Sequence, residues 1–238
     1  MENIKKNNYF ELGKAFLLIL SYLFIIPEII ALLFYNLNLD LHDLTINLIA
    51  NVLVYVCIFI LVLFVYRKTI FKEFIDFFKN FKKFSKVSLS YWVKGLVFML
   101  LTNSIVIAIT GGIAANEAGN RSNILTFPIF SVLSMAVLGP FLEEVLFRKG
   151  FKNAFKKETT FLIVTSLLFG GAHLFASFAG MNLNEMLQNW TQILFIIPYG
   201  GFGYFFGKAY LETNNIFTSV LAHMCHNTLS VLLVLIGV

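Results

Sequence analysis

Long apolar runs separated by short charged segments dominate this chain. A helix needs about 20 apolar residues to cross a bilayer. Six charge-free runs have about this length or more, and a seventh is interrupted by Pro27 and Glu28; in chain order the seven runs are 15–35, 44–66, 95–116, 122–142, 159–184, 186–207 and 213–238. The apolar residues are continuous and do not alternate with polar ones, which favours helices over a β-barrel. The pattern predicts an all-α, polytopic membrane helix bundle of about seven transmembrane helices.

Composition excludes the other broad classes of protein. The 238 residues are 58% hydrophobic and only 13% charged, whereas a soluble domain carries roughly 25% charged residues. A single soluble core of this size could not bury so much apolar side chain. Two cysteines exclude a disulfide-rich secreted protein, and the shortage of charge excludes a disordered one.

The positions of the 18 lysines and arginines predict the orientation in the membrane. With seven spans, 17 of them fall on one side, in the regions 5–14, 67–94, 148–157 and at Lys208, and only Arg121 falls on the other. The positive-inside rule then places the N-terminus in the cytoplasm of a multi-pass cell-membrane protein. The net charge of +5 is explained by this topology, so it indicates no nucleic-acid partner.

The longest basic region has a helical pattern of its own. Phe71, Phe74, Phe78 and Phe81 recur every three or four residues, with lysines between them. This pattern is typical of a basic amphipathic helix that lies in the plane of the lipid headgroups. A solvated loop is the alternative, and the number of phenylalanines weakens it.

Ionisable residues inside the apolar runs are the first candidates for chemistry, because they are costly to insert into a membrane. Glu144 and Arg148 are four residues apart, so on a helix they share one face and can pair. Glu143 lies about 100° away on the same helix and can act as a general base. Pro140 lacks an N–H group and can open backbone groups to a polar cavity. Two solvated glutamates at the end of a span are the alternative.

Two further polar clusters lie in later runs. His173 follows Gly170-Gly171-Ala172, and small residues allow another helix to come close. His223 and Asn227 are four apart and face the same way, His226 flanks them, and Cys225 points away. This arrangement argues against a Cys–His nucleophile on the last helix. Each cluster alone can be structural, but three clusters on separate helices predict one buried polar site.

These residues resemble the intramembrane proteases that group eukaryotic CAAX-prenyl endopeptidases with bacterial bacteriocin-processing and self-immunity proteins. The resemblance covers roughly residues 90–230 and divides the chain into N-terminal helices with the basic segment (1–90) and a family-like catalytic core (91–238). Its motifs are Glu143-Glu144…Arg148, Phe169…His173 and His223…Asn227. The resemblance implies that Glu144 and Arg148 form a supporting ion pair.

The resemblance also implies a glutamate-dependent hydrolysis without an obligatory cofactor. Glu143 would activate a water molecule, and His173 would help to hold it. His223 and Asn227 would donate hydrogen bonds to the oxyanion of the tetrahedral intermediate, which imidazole and amide donors suit.

A zinc-dependent protease is the alternative mechanism. Glu143, His173 and His223 could then be the metal ligands. The familiar His-Glu-x-x-His motif is absent from the sequence, and Asn227 would be a poor ligand. Metal-free hydrolysis is therefore the preferred prediction.

The expected substrate is a peptide or protein at the lipid bilayer that enters a cavity open to the cytoplasm. Bacterial relatives suggest processing of bacteriocin or pheromone precursors, and a prenylated substrate is a family-level option. A homodimer or an association with a peptide transporter is a further expectation. Two rivals come from other classes. One is a transporter, which would more usually show two matching halves, and the sequence shows no internal repeat. The other is a non-catalytic immunity or scaffold protein with the same fold.

Overall fold

The protein is all-helical over the residues described by the computed structural model, which are 2–40, 43–178 and 181–237. These residues contain no strand, which confirms the predicted helical bundle. Three π-helical segments, π1 to π3, and one 3₁₀ segment interrupt the α-helices. In chain order the elements are α1 (Glu2–Leu20), π1 (Ser21–Ile25), α2 (Ile26–Asn36), α3 (Leu44–Lys79), α4 (Phe81–Thr110), α5 (Ala115–Thr126), α6 (Pro128–Ser131), π2 (Val132–Leu138), α7 (Gly139–Glu144), π3 (Val145–Lys149), α8 (Glu158–Phe178), α9 (Leu183–Gln188), the 3₁₀ segment (Trp190–Phe195), α10 (Ile196–Thr213) and α11 (Ile216–Leu235).

Six helical stretches among the described residues are long and apolar enough to cross a membrane. They are Tyr9–Asn36, Thr45–Lys79, Phe81–Thr110, Pro128–Lys149, Glu158–Phe175 and Ile216–Leu235. The sequence pattern predicted about seven. The predicted span 186–207 is divided between α9, the 3₁₀ segment and α10. Asn189 ends α9, where its side-chain amide donates a 2.9 Å hydrogen bond to the Glu185 carbonyl.

The basic region at 67–94 is helical, but it is not a separate helix. It forms the end of α3, a 36-residue helix, and the beginning of α4, and the two helices meet at Asn80. Phe77 and Phe84 are buried at this junction, while Phe71 and Phe78 are exposed. The lysine-rich face is therefore carried by two long helices, and its orientation to the lipid headgroups remains a prediction.

Glu73 ties three parts of the bundle together at this basic end. Its carboxylate pairs with Lys149 at the end of π3 and accepts a 2.8 Å hydrogen bond from the backbone nitrogen of Ile216 at the start of α11. Asn215 adds a 2.8 Å hydrogen bond to the Glu73 carbonyl. Lys14 of α1 lies 5.1 Å from the Tyr66 ring centroid at the same end.

One hydrophobic core joins the N-terminal helices to the later ones. Buried residues from α1, α3, π3 and α10 belong to the same contiguous cluster, including Ala15, Ile58, Phe147 and Phe206. The predicted division at residue 90 falls inside α4 and remains a prediction.

Helix α10 packs closely against α8 because both helices carry glycine at the contact. A Cβ atom on Gly170 would lie 3.0 Å from the backbone nitrogen of Gly200, closer than nearly all real Cβ contacts. Small residues at such a crossing let two helix backbones come together. This close contact brings the His173 region of α8 beside α10.

Candidate active site

Pro140 determines the backbone geometry just before the two glutamates. In π2 the Gly139 N–H donates to the Ser134 carbonyl, a spacing of five residues. The next carbonyl in this pattern belongs to Met135, and its partner would be the nitrogen of Pro140, which has no hydrogen. The Asn227 side-chain amide fills this position with a 2.8 Å hydrogen bond to the Met135 carbonyl. Because Pro140 lacks an N–H group, the Met135 carbonyl is free to bind Asn227, and this bond holds the third motif against the helix of the first.

Glu144 is completely buried and its carboxylate oxygens are fully used. Its Oε1 atom lies 3.2 Å from Arg148 Nη1 and accepts a 2.9 Å hydrogen bond from His223 Nδ1–H. Its Oε2 atom accepts a hydrogen bond from the Ser219 hydroxyl. A buried carboxylate needs such partners to remain charged. Glu144 is thus a structural group that links π3 to α11.

Arg148 is also completely buried, and α10 and α8 supply its remaining contacts. Its Nη2 atom donates a 3.0 Å hydrogen bond to the Gly203 carbonyl. The guanidinium carbon lies 4.3 Å from the centroid of the Phe169 ring, a cation–π contact. A Cβ atom at position 203 would lie 2.7 Å from Arg148 Nη2 and 3.0 Å from the Phe169 ring, so any larger residue there would have to displace the guanidinium.

Glu143 has a different environment from its neighbour. Its Oε2 atom lies 3.9 Å from His223 Nε2, outside hydrogen-bond distance, and 17% of the side-chain surface is exposed. This oxygen is buried and has no hydrogen-bond partner among the described residues. The two adjacent glutamates therefore differ: one carboxylate is saturated, and the other keeps an oxygen available to accept a proton.

His223 stands between the two carboxylates. Its Nδ1–H group donates to Glu144, which fixes the ring and leaves Nε2 directed towards Glu143. The ring of Phe206 stacks on it at 4.5 Å with an interplanar angle of 23°. The imidazole orientation is therefore held from both its edge and its face.

His173 is held in the same manner by α8 and α10. Its Nδ1 atom lies 2.9 Å from the Phe169 carbonyl oxygen, so the nitrogen donates and Nε2 is left with a lone pair. The ring of Tyr199 stacks on the imidazole at 4.6 Å. Phe169 contacts both Arg148 and His173, and Arg148 lies one helical turn beyond Glu144. Phe169 therefore joins His173 to the buried ion pair, and His173 also interacts electrostatically with Glu143.

A cavity of about 290 Å³ begins at these groups. Its lining includes His173, His223 and Asn227 at one end and Arg121 and Val234 towards the other. Because α11 starts at the basic end of the bundle, the cavity runs away from that end. The opening towards the cytoplasm that the sequence suggested remains a prediction.

The other residues of the third cluster behave as the helical spacing predicts. His226 lines the cavity and contacts the Phe202 ring with centroids 4.2 Å apart. Cys225 does not line the cavity. The described residues contain no group of three or more His, Cys, Asp or Glu side chains arranged to hold a metal ion.

The structure adds residues that sequence reasoning did not single out. Ser219 precedes His223 by four residues, as His223 precedes Asn227, so helical periodicity could have identified it.

Tyr22 of π1 and Tyr55 of α3 both interact electrostatically with Glu143. Ring contacts agree with this placement: Phe59, one turn after Tyr55, has its ring centroid 5.8 Å from that of Phe141. No pattern in the N-terminal sequence identifies these two tyrosines.

The fold and the site together define a class of protein: a helical membrane protein whose polar site is assembled from buried glutamate, histidine and asparagine side chains on separate helices. Residues 124–229 match the family model described as type II CAAX prenyl endopeptidase Rce1-like. This match includes all three motifs, confirms the resemblance found in the sequence, and supports the activity of a membrane endopeptidase. No curated protein and no solved structure matches the chain.

Proposed function

We propose that the protein is an intramembrane endopeptidase in which Glu143 activates a water molecule to hydrolyse a peptide bond. The observation that supports this role most directly is the contrast between the two glutamates. Glu144 has three partners, whereas Glu143 Oε2 is buried without one. A carboxylate in such a site is a suitable general base.

The first step is attack on the scissile carbonyl. Glu143 accepts a proton from water while the water oxygen forms a bond to the carbonyl carbon, and the carbonyl oxygen takes the negative charge. His173 supports this step because its Nε2 lone pair can accept a second hydrogen bond from the same water. Two acceptors on one water orient its oxygen towards the substrate.

The oxyanion is the charge that the site then has to stabilise. His223 Nε2, when protonated, and the second N–H of the Asn227 amide are the donors, since His223 Nδ1 and one Asn227 hydrogen are already used. Donors that are held in place before the reaction can contribute about 10²- to 10³-fold to the rate. When the intermediate collapses, the C–N bond breaks and Glu143 returns its proton to the leaving amine.

Hydrolysis without a metal is part of this proposal. Asn227 is a poor zinc ligand and its amide is already bound to the Met135 carbonyl, so it suits an oxyanion donor better than a metal ligand. Activity that persists in excess chelator supports the metal-free reaction. Loss of activity on chelation, with recovery on adding zinc, would replace it by a site at Glu143, His173 and His223.

The substrate we propose is a membrane-associated peptide or protein, such as a bacteriocin or pheromone precursor. The proposed setting is the cell membrane, with the N-terminus in the cytoplasm and access from that side, which requires an entrance at the basic end besides the cavity that runs away from it. The lysines and arginines of the basic end support this orientation. A homodimer or an associated peptide transporter is compatible with the same site.

The test compares the peptides of cells that carry the wild type, E143Q or E28Q. Glu28 is an exposed carboxylate in another apolar stretch and serves as the matched control. Mass spectrometry of membrane-bound and secreted peptides should show a precursor accumulating only with E143Q. If E143Q folds and retains full biological activity, the protein acts as a non-catalytic immunity or scaffold protein and the protease proposal is wrong.

A further inference from the structure

An apolar groove lies on the surface of α3, away from the candidate active site. It is a shallow, open groove of about 810 Å³, lined by Leu63, Phe64, Phe71 and Phe74 of α3 together with Phe217 at the start of α11. Phe64 and Phe71 are largely exposed. The groove therefore offers an extended apolar surface that no described part of the chain covers.

Two cations interrupt this apolar lining. Arg67 and Lys68 are both exposed and both line the groove. Neither makes an ion pair in the described part of the chain, where the nearby carboxylate Glu73 is paired with Lys149. The groove thus combines apolar side chains with two cations that have no counterion.

The position of these cations along α3 determines which ligand they meet. The helix has 36 residues and is about 54 Å long at 1.5 Å per residue, whereas the hydrocarbon core is about 30 Å thick. Arg67 is the first charged residue after the apolar run 44–66. Leu63 and Phe64 therefore lie at the level of acyl chains, and Arg67 and Lys68 lie at the level of the headgroups.

We propose that this groove is a binding site for one anionic phospholipid of the bilayer. The acyl chain packs on Leu63 and Phe64, and the phosphate binds Arg67, whose planar guanidinium can donate two parallel hydrogen bonds. Lys68 adds a second positive charge. Each Lys or Arg next to an anionic headgroup increases the binding affinity about fivefold.

The groove is also connected to the site helix. Phe217 has its ring centroid 5.4 Å from that of Phe74 and 6.1 Å from that of Phe141, which precedes Glu143 by two residues. A lipid in the groove therefore packs against a side chain that contacts the catalytic segment. This binding site does not depend on the proposed protease activity.

Native mass spectrometry of the purified full chain with added phosphatidylglycerol or phosphatidylcholine tests the site. The wild type should retain phosphatidylglycerol at least about fivefold better than phosphatidylcholine. R67Q/K68Q should bind phosphatidylglycerol about thirtyfold more weakly, since two cations are lost. F71N, at an exposed position in the groove, should weaken the binding of both lipids.

The matched control is K82Q/K83Q, which removes the same charge from exposed positions outside the groove. Equal losses in this control and in R67Q/K68Q would overturn the proposal, because the effect would then be that of general surface charge. Equal retention of the two lipids by the wild type would also overturn it. Displacement by soluble glycerol phosphate would contradict the role of the acyl chain, whereas resistance to glycerol phosphate supports it.

Discussion

Glu73 and Lys149 form an ion pair although 76 residues separate them in the chain. Through this pair, and through its hydrogen bond to the Ile216 backbone, Glu73 connects the helix of the glutamates to the helix of His223 and Asn227. The two motif-bearing segments are thus fixed to α3 at one end and to each other through Glu144 at the other.

We expect E73Q to destabilise the protein by about 1–2 kcal/mol, because Lys149 is buried and would lose its charged partner. The cost stays modest because the Glu73 side chain is partly exposed to solvent. A lower Tm in detergent measures the effect. K72Q alters the exposed neighbouring position and should leave Tm unchanged. An E73Q protein as stable as the wild type would show that the connection contributes nothing.

The two adjacent glutamates should respond differently to the same substitution. E144Q leaves the fully buried Arg148 without its counter-charge, a change that costs about 3–5 kcal/mol, whereas E143Q should retain the wild-type Tm. Removing both charges in E144Q/R148M should recover part of the loss. Thermal unfolding of the four proteins measures the difference, and equal Tm values for E143Q and E144Q would contradict the structural role of Glu144.

Gly203 should be intolerant of even one added carbon. In G203A the new methyl group would displace Arg148 from the Phe169 ring, with a cost of about 1–3 kcal/mol for overpacking and a large loss of peptide hydrolysis. The control is G171A, where a Cβ atom meets nothing within 4 Å. Tm and hydrolysis rates of both variants test this, and an active, stable G203A protein would contradict it.

Tyr22 and Tyr55 should contribute to the rate, because both interact electrostatically with Glu143, the proposed proton acceptor. Neither hydroxyl donates a hydrogen bond to Glu143 Oε2 in the structure. A hydrogen bond formed to the charged groups during the reaction would contribute about 1.5 kcal/mol or more, so Y22F and Y55F should each lower kcat about tenfold with little change in KM. Y204F removes a hydroxyl from a more exposed ring and should have no effect. Unchanged kcat in both site variants would show that the tyrosines only pack.

Replacing Pro140 should separate stability from activity. The alanine of P140A supplies an N–H group that can bond to the Met135 carbonyl and displace Asn227. Stability should stay about constant, because the new backbone hydrogen bond replaces the one from Asn227, while hydrolysis should fall about tenfold. P128A changes a proline at a helix start, where proline is tolerated, and should leave activity unchanged. Full activity of P140A would contradict the docking role.

Most of the fold could be predicted from the apolar runs, because an intramembrane helix must satisfy its own backbone and therefore needs a long uninterrupted sequence. The prediction of about seven spans counted the run 186–207, which the structure divides between α9, the 3₁₀ segment and α10. Hydropathy does not register the interruption at Asn189. It also missed that the basic region continues α3, because charge ends a hydrophobic run without ending a helix.

The site was predictable where its residues share one helix. The spacing of Glu144 and Arg148, and of His223 and Asn227, follows directly from helical geometry. Contacts between helices were not predictable in this way: nothing in the sequence assigns His223 to Glu144, or Tyr55 to Glu143. Those pairs depend on how the bundle packs. The steric constraint at Gly203 likewise becomes apparent only once the position of the Arg148 side chain is known.

The adjacent glutamates at positions 143 and 144 are chemically unequal groups. Because two hydrogen-bond donors, one ion pair and complete burial protect Glu144, a carboxyl-modifying reagent that enters the bundle should react with Glu143 and not with Glu144. In the proposed reaction the proton is taken up by Glu143 alone, so the ion pair beside it would stay undisturbed.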